Sequence, residues 1–74
     1  MEAKEALGII NQIAEKYDQP PLTLSGYLHN ASDPEVGPES NQRSIEWLST
    51  TLGETDASYL LRIWSEFEDT PIFS

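Results

Sequence analysis

A helix that runs into Pro20-Pro21 has to stop there. Proline removes an amide donor and pushes the residue before it out of the α region. What precedes the pair is a single amphipathic stripe. Ala3, Ala6, Leu7, Ile10, Ile13, Ala14 and Tyr17 follow the i, i+3, i+4, i+7 rule and share one helical face. Ile9 lies beside that stripe and widens it, while Gly8 sits across from it and weakens the helix by about 1 kcal/mol relative to Ala. The spacing predicts a first helix from about residue 2 to about residue 18.

The segment after the prolines has two readings. With a period of two, Leu22, Leu24 and Leu28 share a face, as in a short strand with Gly26 as its gap. With a period of 3.6, Leu24, Tyr27, Leu28 and Ala31 line a short helix capped by Thr23. A lone strand needs a partner, and no other segment shows β-branched alternation. That favours the short helix at 22–31, with the strand-like form as its alternative.

Asn30 to Glu39 carries two prolines, a glycine and three acids, and reads as a ten-residue loop. Loops of that length in a small domain tend to be functional or mobile. Ser40 or Asn41 can cap the helix that follows, whose inner face is Ile45, Leu48 and Leu52, with Gly53 as its stop. Thr55 then caps a last helix, and Asp56 in its first turn suits the helix dipole. Ala57, Leu60, Leu61, Trp64 and Phe67 form the buried stripe of that helix, with Tyr59 and Ile63 to one side. Thr70-Pro71 ends it, and Ile72-Phe73-Ser74 is expected to fold back over the core. The expectation is all-α: one compact domain over residues 1–74, with three main helices and one short helical or strand-like segment at 22–31.

At 74 residues without cysteine, no disulfide or thiolate metal site can reinforce the fold. The core must come from two Trp, two Phe, three Tyr and the aliphatic residues. Thirteen acids against four bases leave a net charge of −9, which repels phosphate. That argues against direct nucleic-acid binding and against docking on an anionic membrane. No apolar run approaches the length of a membrane span, and Met1-Glu2-Ala3-Lys4-Glu5 offers no basic leader, so a cytoplasmic protein is expected.

Catalytic chemistry finds little to stand on. His29 is the sole imidazole, with Ser25, Ser32 and Asp33 near it in sequence, but no nucleophile elbow or oxyanion loop accompanies them. His29 is expected to hydrogen-bond backbone or water, and no catalytic residue is assigned. Asp33, Glu35 and Glu39 are oxygen donors, yet Pro34 and Pro38 interrupt any EF-hand pattern and Ser44 stands where its closing glutamate belongs. No metal or cofactor is expected. No phosphate-cradling glycine motif occurs. Small acidic carrier proteins load a serine within Asp-Ser-Leu; the nearest string here, Asp56-Ala57-Ser58-Tyr59, departs from that pattern.

What remains is a surface. The charge is −2 over residues 1–18, −3 over 33–39, zero over 40–52 and −4 over 53–74. Trp47 points roughly opposite to Ile45, Leu48 and Leu52. Either the tail Ile72-Phe73 or the 22–28 segment packs over it and makes it core, or it stands outward as an anchor, and tryptophan is enriched in binding hot spots. The candidate contact residues are therefore Asp33, Glu35, Glu39, Trp47, Glu66, Glu68 and Asp69. They suit an inhibitor or adaptor that docks on a basic surface of a larger protein, where charge complementarity speeds association and fixes orientation. In length, charge and lack of catalytic groups the chain resembles the general type of phage-encoded, DNA-mimicking inhibitors, including those aimed at host defence complexes. It carries no family motif of theirs. The alternative is a subunit or assembly factor, or a homodimer, joined through apolar Ile9, Tyr59 and Ile63.

Overall fold

The prolines turn out to begin helices as well as end them. A computed structural model describes residues 2–66 and places α1 at Ala3–Lys16, α2 at Pro21–Ser32, α3 at Pro38–Leu52 and α4 at Glu54–Glu66, with a single 3-10 turn at Pro34–Val36. Among the described residues there is no strand, and the all-α expectation holds. Pro21, Pro34 and Pro38 each stand in the opening positions of their helical turns. There the missing amide has no intrahelical acceptor to lose, and the fixed φ suits the helix.

The helix favoured at 22–31 is present but longer and starts earlier, and the loop reading that follows it is corrected. The stretch at 22–31 is a full helix of 12 residues, and it starts at Pro21 with Pro20 as N-cap, so Thr23 lies inside it. The predicted ten-residue loop at 30–39 largely disappears. Asn30 to Ser32 complete α2, the 3-10 turn follows, and Gly37 at φ 91° leads directly into α3. Ser40 and Asn41 are accordingly interior to α3, and neither caps it.

The other ends follow from local chemistry. α1 finishes at Lys16 because Asp18 turns left-handed at φ 55°, a region that Asp tolerates better than most residues. The Gln19 amide then donates back to the Ala14 carbonyl at 2.8 Å and closes the turn. Gly53 at φ 82° ends α3 as expected, and its carbonyl accepts from the Ala57 amide at 3.0 Å as α4 begins. Thr55 is thus a residue of α4, not its cap.

The core is aliphatic. Ala6, Ile10, Ile13 and Ala14 of α1 meet Leu24 and Leu28 of α2, Leu48 and Leu52 of α3, and Ala57, Leu60 and Ile63 of α4. Tyr17, Tyr27, Trp47 and Trp64 pack against this cluster from outside and stay half-buried. α2 and α3 form the broadest contact, α3 and α4 the next, and α1 lies against α2 and α4. On α4 the buried stripe is turned from the expected one: Ile63 is 2% exposed, whereas Leu61 and Trp64 are half-buried. Ile63 shares the Leu60 side of the helix, so a core that centres on Leu60 takes it in. Phe67, Thr70-Pro71 and the segment 72–74 lie outside the described residues.

Candidate interaction surface

The connection between α2 and α3 is built around Asp33. Its Oδ1 accepts from the Glu35 amide at 2.9 Å and so caps the 3-10 turn. Its Oδ2 faces His29 Nε2 at 3.4 Å, one helical turn back. Asn41 reaches across from α3 and donates through Nδ2 to the carbonyls of Asn30, at 2.7 Å, and of Asp33, at 2.8 Å. Both carbonyls lie where α2 runs out of helical donors, so a side-chain amide satisfies them. His29 lies in the last turn of α2. Ser25, its neighbour on the helix, is buried and donates its hydroxyl to the Leu22 carbonyl at 3.1 Å.

This arrangement separates the first acidic group into two parts. Asp33 is half-buried and engaged on both carboxylate oxygens. Glu35 and Glu39 face solvent. Glu39 meets Arg43 at 3.6 Å with both side chains more than three-quarters exposed, a pair that water screens almost completely. Glu66 is exposed at the end of α4, while Glu68 and Asp69 lie outside the described residues.

Of the two settings open to Trp47, the outward one is not taken: the 22–28 segment packs over it. It lies one residue from Leu48, which on a helix is about 100° around the axis and therefore on the flank, not the far side. On that flank α2 approaches, and Tyr27 stacks on the indole with ring centroids 3.9 Å apart and planes within 5°. Trp47 is half-buried by this contact and makes part of the α2–α3 seam. The apolar alternative also loses a member: Ile63 is in the core and Ile9 packs against it, leaving Tyr59 at 38% exposure.

One polar cluster had no expression in the sequence. The Asp56 Oδ2 accepts from the Tyr17 hydroxyl and from Lys16 Nζ, the latter at 3.1 Å, and ties the end of α1 to the start of α4. The Tyr17 hydroxyl, and after it Lys16, hold the Asp56 carboxyl below its ordinary value of 3.8. The same carboxylate raises both partners, Lys16 and Tyr17. Partners 39 and 40 positions apart leave no periodic trace that could have announced them.

The surface is otherwise dominated by unpaired acid. Among the described residues the ion pairs are Lys16 with Asp56 and Arg43 with Glu39, and the His29 imidazole lies beside the Asp33 carboxylate. Glu2, Glu5, Glu15, Asp18, Glu35, Glu46, Glu54 and Glu66 are exposed, and none belongs to a pair among those residues. No helix among the described residues is long and apolar enough to cross a membrane, and no cluster of three His, Cys, Asp or Glu there could hold a metal ion. No protein-family model matches the chain, nor does any curated protein or solved structure.

Proposed function

We propose that this chain is a small acidic protein-binding module, an inhibitor or adaptor that docks on a basic surface of a larger protein. The basic surface is of the kind that otherwise receives nucleic acid, and the module would stand in for the polyanion there, within the cytoplasm. The observation that carries this reading is the set of exposed carboxylates without cationic partners among the described residues, presented by a helical core that needs none of them for packing. Such a surface raises the encounter rate with a positively charged cleft and orients the encounter. It assigns no catalytic residue and no cofactor. Glu35 and Glu66, together with Glu39, whose pairing with Arg43 is screened by water, are the described carboxylates proposed to make the contact; Asp33 holds the turn that presents Glu35 and Glu39.

Affinity capture from the native cell, with the captured proteins identified by mass, tests the reading. Wild type is expected to retain a protein whose own surface is basic, and to release it when salt is raised to about 0.5 M, where the Debye length falls to a few ångströms. A Glu35→Gln, Glu39→Gln, Glu66→Gln variant should retain less of it, and a DNA duplex should compete. Retention that ignores salt, duplex and variant alike overturns the proposal.

A further inference from the structure

The acid is not shared among all the helices. α1, α3 and α4 each carry exposed carboxylates, whereas α2, Pro21–Ser32, contains neither Asp nor Glu nor Lys nor Arg. Its only ionisable side chain with a partner is His29, held near Asp33 at the helix end. The outward side of α2 consists of Leu22, Thr23, Gly26, His29 and Asn30, all exposed. Leu22 is 72% exposed, the most of the large apolar residues described. Gly26 follows it by one turn on the same side, and a Cβ built there would meet nothing within 4 Å.

Glycine inside a helix is a destabilising choice, and nothing in the folded chain requires one at position 26. Gly8 is equally open, but it sits on α1 among Lys4, Glu5 and Glu15. A single exposed leucine is ordinary on any protein. Here the leucine stands one turn from a glycine with open space above it, on the one helix of the four that carries no fixed charge.

We propose that this face of α2 docks a second copy of the chain, with Leu22 of each copy seated over Gly26 of the other. The charge pattern selects the occupant. In a twofold contact the same patch meets itself, so every carboxylate on the patch would be set against its own duplicate. With a net charge of −9 on each chain, α2 is the helix on which two copies can meet without that opposition. Leu22 and Gly26, one turn apart, are complementary to their own reversed image, as an antiparallel twofold crossing demands. The proposal is independent of the acidic docking reading, because it rests on Leu22 and Gly26 and on none of the carboxylates proposed for that contact.

Sedimentation of the full chain over a range of concentration and salt tests it. Wild type should form a dimer that tightens as salt screens the repulsion between two acidic chains, opposite in sign to capture of a basic partner. Gly26→Ala should weaken the dimer at least tenfold while raising the melting temperature measured under monomeric conditions, which separates lost contact from lost fold. Leu22→Gln should also weaken it at least tenfold with the fold intact. A chain that stays monomeric up to about 1 mM, the weak end of specific association, overturns the proposal. So does a dimer that loosens with salt, or one that neither substitution weakens. Capture of a basic protein is expected to survive Gly26→Ala, so the failure of one proposal leaves the other legible.

Discussion

Asn41 makes the most specific contact between α2 and α3, and its replacement gives a graded test of the turn that presents Glu35 and Glu39. Asn41→Ala removes two hydrogen bonds, to the Asn30 and Asp33 carbonyls. A net hydrogen bond is worth about 0.5–1.5 kcal/mol, and less where water can replace it. The bond to Asn30 is exposed and that to Asp33 is half-buried, so the sum comes to about 1.5 kcal/mol. For a domain of this size that lowers the melting temperature by about 6–12 °C. Asn41→Asp keeps the shape but replaces the donor with an acceptor aimed at two carbonyl oxygens, and should cost about 3 kcal/mol near neutral pH. Those carbonyls raise the introduced carboxyl above its unfolded value. The penalty is then full well above the raised value and fades as the pH falls through it, because protonation restores a donor. Thermal melts followed by far-UV circular dichroism at pH 7 and below pH 4 read both variants. An Asn41→Asp protein at least as stable as Asn41→Ala at pH 7 would refute the clamp.

Leu48→Ala removes a side chain with no exposed surface from the centre of the bundle, and should cost about 2–5 kcal/mol in urea denaturation. That is a large share of what so small a domain possesses. Asp56→Asn weakens the tie between α1 and α4. Because the native Asp56 carboxyl titrates below 3.8, its contribution is complete above that value and vanishes as the pH falls through the lower native one. Wild type should therefore melt higher than Asp56→Asn at pH 6, and the gap should close toward pH 2.

The helical class and three of the four helix positions were legible because period 3.6 is written directly in the apolar residues. Ile10, Ile13 and Ala14, or Leu48 and Leu52, needed only counting. The starts of α2 and α3 were not legible, for a physical reason. A proline forbids the helix behind it and favours the helix ahead of it, so Pro21, Pro34 and Pro38 read equally well as breaks or as first turns. The packing of the neighbouring elements decides, and sequence spacing does not contain it. Trp47 shows the same limit. Its angle about α3 follows from position, but whether α2 would lay Tyr27 over it depends on how two helices meet. The long-range contacts of Asp56 and Asn41 were invisible for that reason as well, although both residues are the type that caps and turns employ.

The distribution of charge now carries more than its total. Among the described residues the acids lie on α1 and beside its two ends, on α3, on α4 and in the turn at 33–37, and the pairs that structure employs, at Asp33 and Asp56, are few. Unpaired surface carboxylates repel one another and lower the stability of a fold that has only an aliphatic cluster to hold it. A chain selected for folding alone would gain by spreading or neutralising them, and α2 demonstrates that a helix of this bundle can do without any. On the two proposals, the contrast between one uncharged helix and three acidic ones divides the surface into two kinds of contact. One kind suits a basic partner and weakens with salt. The other suits a like-charged copy and strengthens with it. A charge that served only to keep the protein dispersed would give no reason for the two to lie on separate helices.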